Sequence, residues 1–212
     1  MRICNPAGRN LWSVSETPDE EVLPTSEVLY HGQIIGVIAA QSRDAAKTAA
    51  QLVRISYEKL ESILSLDEAV KAGERTVMGH DILLERHQDA IKENKTAGDF
   101  QLEGRITTGA QEHYYLEPHS ALAVPSGEKR ELTIHFTTQE PSPVQATIAA
   151  VLGLHQNKII VKCKRTGGAF GGKERCQVAI IAALAADKLG RPCRFVLPRE
   201  VDVAITGHQG WQ

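Results

Sequence analysis

The chain has 212 residues, 42% of them hydrophobic and 24% charged, with a formal net charge of −2. That length allows one large domain or two small ones with a real core, and the near-neutral balance gives no electrostatic reason to expect nucleic acid or an anionic membrane as partner. The composition is that of a soluble globular protein; the opening MRICNPAGRNLWSV lacks the apolar run of a secretory signal, and the expected location is the cytoplasm.

In chain order, residues 29 to 39 (LYHGQIIGVIA) read as a buried strand, apolar and β-branched, with Gly32 and Gly36 as points of close approach. SRDAAKTAAQLV follows as a helix with Ser42 at its N-cap. Arg54 to Tyr57 reads as another strand, and SLDEAVKAG as a short helix capped by Ser65 and stopped by Gly73. From about Glu74 to Phe100 the chain turns polar and aperiodic, which suits a linker or, equally, a long surface loop. The expected division is a first domain at 1–75, a linker at 76–101 and a second domain at 102–212.

The second half is more strongly patterned. ELTIHFTT alternates Leu132, Ile134 and Phe136 with polar neighbours, as a half-buried strand does. PSPVQATIAAVLGL reads as a helix with Ser142 at the N-cap, Pro143 at the first helical position and Gly153 at the C-cap. NKIIVKCK is a strand that runs directly into a glycine-rich loop. CQVAIIAALAADKLG is a helix apolar on most sides, hence buried, and CRFVL is a further strand. Such a mixture predicts an α+β fold. The most apolar run, Val178 to Ala186, is about half the length of a membrane span. The four cysteines show no C-x-x-C pair or zinc-like spacing and read as free thiols.

The loop TGGAFGGKE, Thr166 to Glu174, is the richest stretch. Gly167 to Lys173 satisfies seven positions of the phosphate-loop pattern G-x-x-x-x-G-K-[ST], and a strand–loop–helix setting favours bound anions. The eighth position, where a hydroxyl would hold Mg²⁺, is Glu174. A stand-alone phosphate- or nucleotide-binding domain built on 167–174 is therefore one reading. A second is a glycine-rich turn that exists only for tight packing. A third is a site whose ligand offers N–H or O–H donors to Glu174. His113 and His119 have no metal-ligand spacing and read as structural histidines, and Glu112 and Glu117 need not face each other.

Three motifs in order, GAQEHYYLEPHSALAVP (Gly109 to Pro125), TTQEPSPVQ (Thr137 to Gln145) and GGAFGGKE, resemble the molybdenum hydroxylases, the xanthine dehydrogenase and aldehyde oxidase family. EVLYHGQIIGVIAA and AAQLVRISYEKL resemble the end of that family's α/β hammerhead domain, so the likeness runs from about Val28 to Gly207. The resemblance implies the end of a hammerhead domain at 1–75, followed by the first part of a molybdopterin-binding domain with a mixed sheet and packed helices. It implies a molybdenum–molybdopterin cofactor, with Gln139 and Phe170 in the molybdenum environment and Gly171 supporting the cofactor. Glu174 matches the carboxylate that hydrogen-bonds a purine in the xanthine-oxidising members, whereas Ala169 replaces a glycine and looks more like the aldehyde oxidases.

The implied reaction is hydroxylation of a purine-like heterocycle or an aldehyde, with water as oxygen source. No catalytic residue is expected within the chain, because the family's glutamate base matches nothing before Gln212. FAD and [2Fe–2S] clusters are expected in a full enzyme but not on this chain. Such enzymes are expected to be homodimeric, to act on small molecules, and to bind neither nucleic acid nor membrane. The isolated chain is expected to be an inactive fragment.

Overall fold

The computed structural model describes residues 6–12, 20–72, 104, 106, 108–126, 130–174 and 177–206. Met1–Leu52 and Thr107–Gln212 form one compact unit, and Val53–Ile106 a second. The expected linker at 76–101 lies outside the described residues. Among the described residues no helix is long and apolar enough to cross a membrane.

The larger unit is α+β, as expected. Its helix α1 (Arg43–Gln51) starts where Ser42 Oγ accepts from the Ala45 N–H at 3.1 Å, the predicted N-cap. In the smaller unit, α2 (Leu66–Ala72) begins with a reciprocal cap. Ser65 Oγ accepts from the Glu68 N–H at 3.2 Å, and the Glu68 carboxylate accepts from the Ser65 and Leu64 N–H groups.

Four strands build the sheet: β1 (Ser120–Ser126), β2 (Glu131–Phe136), β3 (Ile159–Lys162) and β4 (Cys193–Val196). Their order is β3-β2-β1-β4. β1 pairs antiparallel with both β2 and β4, while β2 and β3 run parallel through a helical crossover. That crossover is α3 (Pro141–Leu152), and the buried helix is α4 (Gln177–Leu189). α4 packs across β1 and β4, and α3 across β3 and against α4. The facing strand residues are small where the Ala-rich helix approaches: Ala121 and Ala123 of β1 are buried beside Ile134 and Phe136 of β2. Val144, Ile148 and Val151 from α3, with Val178, Ile180 and Ile181 from α4, complete the core.

The N-terminal segment closes one end of this core. Gly8 and Arg9 donate N–H groups to the Val151 and Ala150 carbonyls, which adds to the capping of the last turn of α3. Trp12 and Val22 follow into the core cluster.

Several expectations are corrected. Residues 29–39 and 54–57 form no strand and have no ladder partner among the described residues: 30–32 turn, with the Gln33 N–H donating to the Tyr30 carbonyl at 3.3 Å, and Leu29, Val37, Ile55 and Tyr57 are exposed. Strand-forming composition needs an edge to pair with, and none of the described residues supplies one. α3 is capped two residues earlier than predicted, at Glu140 instead of Ser142. Thr138 Oγ1 accepts from the Glu140 N–H at 3.0 Å, so the chain already turns there and Pro141 takes the first helical position. The central strand β1 and the short helix α5 (Arg199–Ile205) were not assigned from sequence; Pro125 lies inside the first, and the second has no side-chain cap.

Ile134→Ala, which empties space in the middle of the sheet, is expected to cost about 2–5 kcal/mol in urea denaturation. Leu29→Ala, at an exposed position, is expected to change stability by no more than about 0.5 kcal/mol.

Candidate functional site

The sheet brings four chain segments to one edge. β2 and β3 are parallel, so the turn after β2 (Thr137 to Glu140) and the loop after β3 (Cys163 to Glu174) leave on the same side. β1 is antiparallel to β2, with Ala121 opposite Phe136, so the segment leading into β1 (Glu112 to His119) arrives there too. β4 pairs Val196 with Ser120, which places α5 beside them. The carboxyl edge of parallel strands is where open α/β sheets present ligand sites.

The glycine-rich loop is tied down by its lysine. Lys173 has no exposed surface. Its Nζ donates to Glu117 Oε2 at 2.7 Å and lies 4.9 Å from the Tyr115 ring centroid. Glu117 Oε2 also accepts from the Gly167 N–H at 2.8 Å, and Oε1 from the Thr137 hydroxyl at 3.2 Å. Burial works to raise the Glu117 carboxyl, but the Lys173 hydrogen bond, the Gly167 amide and the Thr137 hydroxyl together hold it below the usual carboxylate value. On the main chain, the Lys173 carbonyl accepts from the Gln139 N–H at 3.1 Å and from the Thr138 hydroxyl at 2.8 Å. The Lys173 N–H donates to Gln139 Oε1 at 3.3 Å.

Sterics explain two of the glycines. A Cβ at Gly172 would stand 2.6 Å from Tyr115 Cε1, and one at Gly167 would stand 2.6 Å from Glu117 Cβ. Both keep the loop in contact with the 113–117 segment. Phe170, by contrast, carries a side chain at φ 54, as Tyr114 does at φ 42, and both aromatic residues are about two-thirds exposed. Non-glycine residues in this region cost of order 1–3 kcal/mol and cluster at functional sites.

The sequence-derived residues fall into place as follows. Gln139 is exposed and bonded to Lys173 through both its side chain and its N–H. Phe170 is exposed, with its ring edge beside Gly168: a Cβ there would be 3.4 Å from Phe170 Cε2. Gly171 sits between His113 and Glu174: a Cβ there would be 3.6 Å from His113 Nε2 and 3.8 Å from Glu174 Oε1. Glu174 is exposed, and its carboxylate has no hydrogen-bond or ion-pair partner among the described residues. His113 Nδ1 is buried and has no hydrogen-bond partner among the described residues.

Behind this edge lies a second polar cluster. His119 Nδ1 is 2.8 Å from Asp202 Oδ1 and 2.8 Å from the Tyr115 hydroxyl, and the His119 N–H also donates to Asp202 Oδ1 at 3.2 Å. Asp202 is 1% exposed. Burial opposes its ionisation, but the hydrogen bond and charge of His119 outweigh it and lower the carboxyl. Burial also raises the Tyr115 phenol, which therefore stays protonated. His119 is thus a structural histidine, as read from sequence. Glu117 and Asp202 were missed as key groups; their partners lie 56 and 83 residues away in the chain, beyond any local signal.

The phosphate-loop alternative is not supported. Lys173 Nζ faces Glu117 rather than solvent, and the N–H groups of Gly167, Gly172 and Lys173 are already given to Glu117, Ala169 and Gln139.

Comparison with known proteins adds two family matches. Residues 77–211 match the family described as molybdopterin cofactor-binding domain, and residues 4–61 the aldehyde oxidase and xanthine dehydrogenase a/b hammerhead domain. The chain is 39% identical over 191 residues to a xanthine dehydrogenase of Dictyostelium discoideum and 42% identical over 191 residues to aldehyde oxidase 1 of Oryctolagus cuniculus. In each case the match covers 89% of this chain but only 14% of the relative, so the chain spans about a seventh of their length. Its fold is shared with an aldehyde oxidoreductase from Desulfovibrio gigas, at a TM-score of 0.75 and 21% identity over 96% of this chain and 24% of that one. Quinoline 2-oxidoreductase from Pseudomonas putida 86 aligns at a TM-score of 0.73 and 21% identity, over 94% of this chain and 26% of that one.

Two measurements follow from this geometry. Gly172→Ala is expected to lower stability by about 1–3 kcal/mol, because the new methyl must displace the Tyr115 ring; thermal melting reads it. Asp202 has its carboxyl lowered in the fold, so its contribution is present above the usual carboxylate value and lost as pH falls through the lowered one. Asp202→Asn is expected to destabilise by about 1–3 kcal/mol near neutral pH and to lose less further stability on acidification, in urea titrations at about pH 7 and about pH 3.

Proposed function

The chain belongs to the aldehyde oxidase and xanthine dehydrogenase family of molybdenum hydroxylases, and on that footing we propose that it forms part of the cofactor and substrate pocket of an oxidoreductase that hydroxylates purine-like heterocycles such as xanthine and hypoxanthine, or aldehydes, with water as oxygen source. The observation that carries this reading is the exposed carboxylate of Glu174, which has no hydrogen-bond or ion-pair partner among the described residues and stands beside His113 and Gly171 at the end of a loop fastened through Gly167 and Lys173.

The residues fit a molybdopterin cofactor. Among the described residues no three His, Cys, Asp or Glu side chains converge as a metal-binding set. The edge offers the exposed Gln139 and Phe170, which suits a metal that arrives with its own organic ligands. When bound, the cofactor would supply the two-electron oxidation. Gln139 would hold the cofactor by hydrogen bonding from its carboxamide, and Phe170 and Gly171 would line the same side of the pocket. Glu174 would accept a hydrogen bond from a ring N–H of the substrate, which fixes which carbon meets the metal.

The two sequence signals for substrate, Ala169 and Glu174, are placed differently. Ala169 is 8% exposed, so its methyl faces the protein. Glu174 faces outward, and the reading therefore weights purines over aldehydes. The catalytic base, FAD and the [2Fe–2S] clusters are proposed to lie outside these 212 residues, in a homodimeric cytoplasmic enzyme; this part rests on the resemblance alone.

In the molybdenum-loaded enzyme, Glu174→Val is expected to lower kcat/KM for xanthine by about 100-fold, the equivalent of one lost charged hydrogen bond. Turnover of a simple aldehyde, which has no ring N–H, is expected to stay within about threefold. Equal loss on both substrates would remove Glu174 from the purine-binding role.

A further inference from the structure

We infer that Glu117 and Lys173 are positioning residues whose ion pair, buried at its lysine end, sets the glycine-rich loop and the Gln139 carboxamide in one register before any ligand arrives. What the loop faces rests on the reading above; the pin itself does not.

The connections converge on a single residue. The Lys173 side chain reaches Glu117, while its N–H and carbonyl both engage Gln139 and its carbonyl also engages Thr138. Glu117 in turn holds the far end of the loop, accepting from the Gly167 N–H while its own N–H donates to the Gly167 carbonyl at 3.1 Å. Its second oxygen takes the Thr137 hydroxyl, two residues before Gln139. Both ends of the loop and the strand end that carries Gln139 are therefore tied to one carboxylate and one ammonium. The pair is lopsided: Lys173 is wholly buried, whereas the Glu117 side chain is 39% exposed. Loss of the carboxylate strands a cation with no water, while loss of both charges strands nothing. The loop would respond to the first change by opening until Lys173 is solvated, which carries its main chain away from Gln139.

Amide hydrogen exchange on the full chain tests this without any cofactor. The reporters are the N–H groups of Gly167, Lys173 and Gln139; the references are Ala123 and Ile134 in the sheet. In Glu117→Gln the reporters are expected to exchange about tenfold faster or more, while the references change by less than about twofold. In the double variant Glu117→Gln with Lys173→Met, the reporters are expected to return at least halfway to the parent rates, because no unpaired charge remains. Acceleration of reporters and references by the same factor in Glu117→Gln would mean a merely structural role and would overturn the inference. So would a double variant whose reporters exchange as fast as those of Glu117→Gln. If the double variant does not fold, Glu117→Gln alone decides the question. Failure of the functional reading would appear separately, as equal loss on xanthine and aldehyde in Glu174→Val with the exchange pattern intact.

Discussion

A lysine ammonium with no access to water dictates the form of the functional edge. Removing such a charge from solvent costs several kcal/mol unless hydrogen-bonded opposite charge replaces the water, and Glu117 is the group that replaces it. The match has geometric consequences beyond the two side chains. Glu117 can meet Lys173 only if the 113–117 segment lies against the loop, and that approach requires glycine at 167 and 172. The Tyr115 ring then lies beneath the ammonium and adds a cation–π contact. Loop conformation, glycine placement and the path of the 113–117 segment are thus one solution to one electrostatic problem.

The sheet makes that solution possible. Parallel pairing of β2 and β3 sends two connections off the same edge, and antiparallel β1 brings a third segment back to it. The close packing of α4 on the alanines of β1 keeps the sheet and its buried helix near each other. Behind the loop, the Tyr115–His119–Asp202 cluster ties the entry of β1 to α5, so the base on which the loop rests is itself hydrogen-bonded to a different part of the chain.

Local signals made α3, α4, β2, β3 and β4 legible in the sequence: cap residues for α3, alternation for β2, and short or long apolar runs for β3, β4 and α4. β1 escaped notice because its inward residues are only alanines and Pro125 interrupts the run. Residues 29–39 misled in the opposite direction: their composition is that of a strand, yet pairing depends on a neighbouring edge and not on composition. For the candidate site, Gln139, Phe170, Gly171 and Glu174 could be named from motifs, since motifs are local. The Lys173–Glu117 and His119–Asp202 pairs could not, because nothing in a linear chain marks which carboxylate will meet which cation across more than 50 residues.

A pattern in the edge explains why the named residues are available at all. Each exposed candidate stands next to a buried anchor: Gln139 beside Thr138, Phe170 beside Ala169, Glu174 beside Lys173, and Tyr114 beside Tyr115. A residue adjacent to a fixed anchor has little freedom in its own backbone, so its side chain is presented outward in a defined direction. At Phe170 and Tyr114 this presentation requires a left-handed backbone that an unconstrained loop would abandon. The anchors Ala169 and Tyr115 hold them there. Preorganisation of this kind lowers the ordering cost of binding, and here it comes from what the neighbouring residues bury.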